Sequence, residues 1–262
     1  MGRAAMSRPL RLAWLGASLL VAAGFVALWQ AAADHRLVSP VFLPGPDRAW
    51  AALLRGFARG TLAANLAGTV QRMVLGWLIA SAAGIALGAA IGTSPRLKAY
   101  LQPLLEFLRP LPASALIPVA IAVLGLSDGM VLAVVAFGSL WPVLLATVHG
   151  FASVEPRLYE VARALQLSRL ATIGRIALPS AGPDILAGMR LGLTVALILA
   201  VVCEMLAGRE GLGHWILLSA RAFRAPDLYA GVILLGALGF LSSALLAAVE
   251  ARVLAWRKAG AA

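Results

Sequence analysis

The sequence has a single cysteine and little charge, and each shortage excludes a class of protein. Cys203 has no second cysteine to pair with, which rules out an internal disulfide framework. Of the 262 residues 13% are charged and 61% are hydrophobic, whereas soluble domains have about 25% charged and about 45–50% apolar residues. A soluble fold this apolar would expose large aggregating patches. The composition therefore predicts an all-α integral membrane protein.

Two common signatures, of a nucleotide-binding loop and of a metalloprotease site, are also missing. No G-x-x-x-x-G-K-[ST] loop and no H-E-x-x-H pair occurs. The histidines His35, His149 and His214 are far apart in the chain, so no spacing typical of a metal site is present. We therefore expect no catalytic residue, no metal and no cofactor, and we do not expect an enzyme.

Lysine is nearly absent, but arginine is abundant. The 22 basic residues include only two lysines, Lys98 and Lys258, and the formal net charge is +11. In a soluble protein this balance would suggest nucleic acid. In a membrane protein it is typical of cytoplasmic loops, which collect Lys and Arg. We therefore expect the lipid bilayer as a partner and expect no nucleic acid partner.

Apolar runs long enough to cross a bilayer, which takes about 20 residues, predict the spans. Six transmembrane helices are expected, at residues 12–33, 73–91, 111–126, 130–148, 187–206 and 230–249. The first run has no charge over its 22 residues. A cleaved signal peptide is the alternative for it, because three arginines precede the run. Its length, and the apolar chain that follows, favour a span.

The distribution of basic residues predicts the orientation. With the N-terminus inside, inner segments hold 13 Lys and Arg and outer segments hold 7, which favours both termini in the cytoplasm. The predicted parts are a cytoplasmic N-terminus (1–11), a first span with an outer amphipathic segment (12–66), a core of five spans (67–257) and a cytoplasmic tail (258–262).

The outer segment contains one predicted helix. Pro44-Gly45-Pro46 breaks the chain, and Asp47 can cap a helix that follows. Apolar residues then recur at helical spacing with arginines among them: Trp50, Leu53, Leu54 and Phe57, with Arg48, Arg55 and Arg59. This pattern favours a short helix lying along the outer membrane surface. A packed lid over the pore mouth is the alternative.

Several residues within or beside the spans are candidates for the pathway or for structural roles. Glu204 is the one acidic residue clearly inside a span, where charge is costly and often functional. We favour a local structural contact near the outer end of span five, with a pathway role as the alternative. Arg72 and Arg190 either attract anions or mark span ends. Trp141 is a further candidate of this kind.

Prolines and small residues add two open questions about the spans. Pro112, Pro118 and Pro142 either break spans three and four beside the pathway or merely kink them. Small residues recur every four positions in span two (Gly76, Ala80, Gly84, Gly88, Gly92) and in span five (Gly188, Gly192, Ala196, Ala200). Such rows let helices approach closely. Packing within one chain is favoured over a dimer seam.

The inner connection between spans four and five has helical apolar patterning. Leu158, Val161, Ala162 and Leu165 share one helical face, and Leu170, Ile173 and Ala177 share another. The segment is therefore predicted as two short amphipathic helices outside the membrane. Their apolar faces would pack on the chain's own helix ends or enter a groove on another protein.

In this connection the sequence resembles the permease subunits of binding-protein-dependent ABC importers, in the branch associated with nitrate, sulfonate and taurine. Glu160 and Ala162 match the family's Glu-x-Ala, and Leu178-Pro179 its Leu-Pro pair. The other matches are Thr69-x-x-Arg72, Leu108 to Pro112, Leu116-Ile117-Pro118, Gly188-Met189-Arg190, Cys203-Glu204-Met205 and Gly211-Leu212-Gly213. Each motif is weak alone, but their order and spacing are specific.

The resemblance implies a type I importer permease that does no covalent chemistry. It implies a location in a bacterial cytoplasmic (inner) membrane. The implied partners are two ATPase subunits, a periplasmic or lipid-anchored solute-binding protein, and a second copy of the chain. The implied ATPase-coupling segment is Glu160, Ala162, Arg163, Ala164, Leu165, Gln166, Leu167 and Ser168. The motif after it is Leu178, Pro179, Pro183, Gly188 and Arg190. The implied solute is a small anion such as nitrate, a sulfonate or taurine. A stand-alone secondary transporter or channel is the alternative.

One departure from the family pattern affects the coupling segment. The family has a glycine where this chain has Gln166, and a small residue where it has Leu167. Glycine permits a tight bend between two short helices. We therefore expect either a less sharp bend here or a groove that has changed on the ATPase.

Overall fold

The computed structural model describes residues 8–255, and every regular element within them is helical. The chain divides into two compact units, one of residues up to 63 with 215–233, the other of residues 64–214 with those from 234 onward. Of the predicted cytoplasmic ends, residues 1–7 and all of 258–262 lie outside the described part.

Short connections join the helices, and several of the helices start at proline. The helices are α1 (Arg8–Asp34), α2 (Pro46–Ala58), α3 (Thr61–Gly92), α4 (Pro95–Leu108), α5 (Ile117–Leu124), α6 (Asp128–Ala152), α7 (Pro156–Ala164), α8 (Arg169–Thr172), α9 (Leu178–Ala207), α10 (Leu212–Arg221) and α11 (Ala225–Val253). A 3-10 turn, Ala113–Leu116, precedes α5. A π-helical turn, Ile173–Ala177, joins α8 to α9.

The predicted all-helical membrane fold is confirmed. Within the described residues, five helical stretches are long and apolar enough to cross a membrane, and a bent pair brings the number to six. The five are Gly16–Asp34 of α1, α3, α6, the 39-residue stretch Arg169–Ala207 and α11. They cover the predicted spans except the third, and most extend beyond the predicted ends, because helix continues where the apolar run stops.

The third span differs from the prediction. Residues 111–126 do not form one helix: α4 and the Ala113–Leu124 segment meet at a bend of 77°. The eight residues of α5 reach only about 12 Å, too short to cross the hydrocarbon core. Pro112 lies at the bend in an extended conformation. A helix does not continue through this point, because proline lacks an N–H and disfavours helix in the residue before it. Pro118 lies in the first turn of α5.

The small-residue rows of spans two and five both pack against α6. A Cβ added to Gly76 would lie 2.5 Å from Val135, and one added to Gly88 would lie 2.6 Å from Thr147. A Cβ on Gly188 would lie 2.8 Å from the carbonyl oxygen of Pro142. Pro142 itself lies inside the continuous α6 and does not break it. The rows therefore make packing contacts within one chain, as favoured from the sequence.

The helix predicted in the outer segment forms as α2, and its position along the membrane surface stays a prediction. It begins at Pro46 with Gly45 as its N-cap, and no side chain caps it. Asp47 lies in the first turn rather than at the predicted cap position. Proline suits this first position because its fixed φ is already helical and its missing N–H would have no partner there.

The connection after α6 forms only one of the two separate short helices predicted. α7 is separate, but α8 continues through the π-helical turn into α9 without a break. The second predicted helix is therefore the first part of the long helical stretch Arg169–Ala207. The helical spacing of apolar residues that suggested a separate helix continues without interruption into the apolar residues of the span.

Candidate functional site

One side of α7 packs against the protein. Ala162 is 2% exposed, and half-buried Tyr159 contacts a buried cluster. The cluster contains Phe151, Val154, Ala177, Ala181 and Ile185. Partial burial raises the pKa of the Tyr159 phenol above its usual range. These contacts fix the position of the coupling segment on the protein.

The other side of the same connection is apolar and exposed. Four large side chains form what we call the apolar patch: Leu158 (36% exposed), Val161 (50%), Leu165 (65%) and Leu170 (83%). Exposed charged residues alternate with them along the chain: Arg157, Glu160, Arg163 and Arg169. These charged residues favour a position of the surface outside the lipid hydrocarbon, because charge is costly there. Three of the four residues predicted to share one face do so, whereas Ala162 points inward.

A tight turn follows α7, so the first of the two expected alternatives, a less sharp bend, is wrong. Gln166 takes a left-handed conformation, with φ of +52°. Its N–H donates to the carbonyl of Arg163, and the N–H of Leu167 donates to that of Ala162, both at 3.0 Å. This is the Schellman arrangement usually completed by glycine. Gln166 keeps the glycine geometry at a conformational cost.

The remaining residues of the coupling segment lie at the surface or begin the next helix. Ala164 is exposed, and Leu167 is half-buried. Ser168 is the N-cap of α8, where its hydroxyl accepts a hydrogen bond from the N–H of Ala171 at 3.2 Å. This cap sets the start of the long helix directly after the turn.

The predicted motif after the coupling segment lies on α9. Pro179 is in its first turn, and Leu178 and Pro179 are exposed while Pro183 is half-buried. Gly188 is buried against α6. Arg190 pairs with Glu250 of α11 through Nη2 and Oε2. We did not predict that pair, although both residues are span-end charges of opposite sign.

A network of charged side chains joins α3, α6 and α9 at the opposite end of α9. Glu204 is fully buried and accepts hydrogen bonds from Arg72 Nη1 at 3.1 Å and from the Thr69 hydroxyl at 2.9 Å. Arg72 Nε donates to Asp128 at 2.9 Å, and Arg209 donates to the other oxygen of Asp128 at 2.8 Å. We call this the polar network.

The polar network also holds the connection after α9. The Glu204 carboxylate accepts from the N–H of Gly213 at 3.0 Å, and the Thr69 hydroxyl accepts from the N–H of Leu212 at 2.9 Å. Arg72 donates to the carbonyl of Glu210 at 2.6 Å. A Cβ on Gly211 would collide with the Glu204 carboxylate. The Gly-Leu-Gly motif therefore fits the loop around a buried charge.

The sequence contained a signal for this network that we did not use. Arg72 directly precedes predicted span two, and Glu204 lies near the end of span five at the same predicted membrane face. Opposite charges at equal predicted depth favour pairing. The favoured structural role of Glu204 agrees with the observed contacts, and Arg72 is its partner rather than a free cation.

A cavity of about 890 Å³ runs beside α6 and α9. Its lining residues are Arg109, Leu111, Ala113, Ser114, Gly138, Trp141, Pro142, Leu145, Ala146, His149, Asp184, Ala187, Gly188, Leu191, Val195, Ile198, Leu199 and Val202. Of the predicted residues, Trp141, Pro142 and Gly188 line it. Pro112, Pro118, Arg72 and Glu204 do not. The wall is largely apolar, and Arg109, His149 and Asp184 supply its titratable groups.

Metal binding has no support from side-chain geometry. Among residues 8–255, no group of three or more His, Cys, Asp or Glu side chains is placed to hold an ion. The single thiol, Cys203, is buried and free.

Comparison with known proteins decides the family. Residues 60–255 match the family described as binding-protein-dependent transport system inner membrane component. The chain belongs to this family. The resemblance drawn from the ordered motifs is thereby confirmed, and the several apolar helices place this family member in a membrane as a multi-pass protein.

Two curated relatives align along nearly the whole chain. A protein of Bacillus subtilis assigned as an aliphatic sulfonates transport permease is 31% identical, with 94% of this chain and 89% of that protein aligned. The taurine transport system permease protein of Escherichia coli is also 31% identical, with 95% and 94% aligned.

A solved structure shares the fold. The methionine ABC transporter in an inward-facing conformation contains a chain that superposes with a TM-score of 0.67, over 75% of this chain and 97% of that one. Sequence identity is 14%, so the likeness concerns the fold alone.

Proposed function

We propose that this chain is the membrane-spanning subunit of an ATP-driven importer that moves a small anion inward by alternating access. The observation that carries the proposal is the apolar patch, exposed among charged residues on a short helix outside the spans. Such a face fits a hydrophobic groove on another protein. The chain has no phosphate-binding loop of its own, so we assign ATP hydrolysis to two separate ATPase subunits.

The connection from the coupling segment to the bundle supports mechanical coupling. Helix is continuous from Arg169 to Ala207, so a push on the segment acts directly on a span that lines the cavity. α7 is held by Ala162 and Tyr159. ATP-driven closure of the ATPases would favour whichever permease state they bind more tightly. The residues from Glu160 to Ser168 are therefore proposed as the coupling site.

The cavity supports a pathway completed by a second copy. α6 and α9 supply one wall, and a homodimer would supply the facing wall. Solute would arrive from a periplasmic or lipid-anchored binding protein. The basic-residue counts support an inner-membrane orientation with both termini in the cytoplasm, which puts the apolar patch on the ATPase side.

The relatives support a sulfonate or taurine-like anion as solute, with nitrate as the other anion of the same branch. Arg109 and His149 in the cavity wall are groups that could attract such an anion. The solute itself is best identified by calorimetry with the solute-binding protein that pairs with this chain, titrated with taurine, an alkanesulfonate and nitrate.

The test of coupling is Ala164→Glu, which places a charged side chain beside the apolar patch at an exposed position. We expect transport and co-purification of the ATPase to fall together while the chain still inserts. Ala222→Glu is the matched control, because Ala222 is also exposed but lies far along the chain, after α10. Uptake by the wild-type chain without ATPase subunits would contradict the proposal and favour a stand-alone transporter.

A further inference from the structure

The helix α2 has a buried face that the importer function does not use. Ala49, Ala52, Leu53 and Gly56 are buried, and Gly56 contacts Leu62 closely enough that a Cβ would lie 3.1 Å from it. This face holds one side of the helix against the protein. Two other faces of α2 remain exposed.

One exposed face is apolar. Trp50 is 57% exposed, Leu54 53% and Phe57 39%. At about 100° per residue these three side chains fall within about 60° of one another around the helix. They form a continuous line, which we call the aromatic stripe.

The other exposed face carries three cations. Arg48, Arg55 and Arg59 are all exposed and fall within about 40° of one another around the helix. Within residues 8–255, none of the three forms an ion pair with an acidic side chain. Their centre lies about 150° from the centre of the aromatic stripe. The exposed surface of α2 is therefore divided into an apolar side and an opposite cationic side.

The start of α2 is fixed at the depth of a span end. The indole N–H of Trp29 in α1 donates to the carbonyl of Pro44 at 2.9 Å. Trp29 lies five residues before Asp34, where α1 ends, which is about 7.5 Å along the helix. Its ring lies 5.5 Å from that of Tyr229, and such aromatic residues are typical of the headgroup level. The chain therefore enters α2 at the membrane interface.

We propose that α2 lies in the membrane interface, with the aromatic stripe among the acyl chains and Arg48, Arg55 and Arg59 bound to phosphates of anionic phospholipids. Opposed apolar and cationic faces are what an interfacial helix requires. Charge complementarity selects the occupant, because three unpaired arginines match a layer of phosphates. The proposal holds for whichever leaflet this end of α1 reaches, and it is independent of the importer function.

The first experiment measures depth. Spin labels are placed singly by Leu54→Cys and by Arg55→Cys in a Cys203→Ala background, and the full chain is reconstituted in vesicles of phosphatidylcholine and phosphatidylglycerol. Residue 54 should favour collision with oxygen, which concentrates in lipid, and neighbouring residue 55 should favour the water-soluble nickel chelate. A label at residue 54 that collides with neither reagent would overturn the proposal in favour of a protein-covered lid. Preference for the nickel chelate at both positions would overturn it in favour of a helix standing in water.

The second experiment measures headgroup preference. Each arginine near an anionic surface is worth about a fivefold gain in association. The triple variant Arg48→Gln, Arg55→Gln, Arg59→Gln should lose its preference for spin-labelled phosphatidylglycerol over phosphatidylcholine by fivefold or more. The triple lysine variant is the matched control, because it keeps the charge and should keep the preference. Equal preference in the glutamine variant and the wild type would overturn the lipid assignment.

Discussion

The two ends of the α9 region distribute polarity in opposite ways. At the polar network a carboxylate is fully buried and each of its oxygens has a donor. At the coupling segment apolar side chains are exposed and face no partner within the described chain. A satisfied buried charge is complete in itself, whereas exposed apolar surface gains free energy only when covered. The polar network is therefore satisfied within this chain, whereas our proposal has the apolar patch covered by a second protein.

The largest effect is expected at the polar network. Arg72→Leu leaves the buried Glu204 carboxylate without its cation, and should cost about 3–5 kcal/mol of stability. Thermal unfolding of the purified protein in detergent measures this. Arg209→Leu is the control, because Arg209 pairs with the same Asp128 but at an exposed position, and should cost under about 1 kcal/mol. Equal losses for the two variants would refute the distinction between buried and exposed pairs.

The contrast between the two ends also depends on close packing of α6 against α9 between them. Gly188→Ala inserts a methyl group 2.8 Å from the Pro142 carbonyl oxygen, and overpacking of this kind costs about 1–3 kcal/mol. Gly236→Ala is the matched change, since no atom lies within 4 Å of its Cβ position; it should be neutral or stabilise the helix by up to about 1 kcal/mol. Thermal unfolding of both variants checks this, and no difference between them would contradict close α6–α9 contact.

The smallest effect concerns the turn after α7, beside the apolar patch. Gln166→Gly removes the left-handed strain, which costs a non-glycine residue roughly 1–2 kcal/mol, partly offset by glycine's freer unfolded chain. We expect stability to rise by up to about 1 kcal/mol and coupling to be kept. Gln166→Val should lower stability, because β-branched residues disfavour positive φ. A glycine variant less stable than the wild type in chemical denaturation would contradict the turn geometry.

The sequence predicted what depends on composition and periodicity. Apolar runs located five continuous spans, and the family motifs located the connection where α7 and the apolar patch lie. Features that depend on partners distant in the chain were missed: Arg72 with Glu204, and Arg190 with Glu250. The third span failed because Pro112 breaks a run that hydropathy reads as continuous. Gln166 was misjudged because two backbone hydrogen bonds hold the turn in the glycine geometry.

The central claim is that the apolar patch is covered by an ATPase subunit. The direct measurement is the labelling rate of Leu165→Cys by a membrane-impermeant maleimide, with and without the ATPase subunits, in membranes opened to the cytoplasmic side. Cys203 is buried and should not react. The account predicts fast labelling of the chain alone and several-fold slower labelling in the complex. Ala99→Cys is the control, because Ala99 is exposed in the connection between predicted spans two and three, on the same predicted side, and should give the same rate with and without the ATPase subunits. An unchanged rate at residue 165, or labelling only from the periplasmic side, would contradict it.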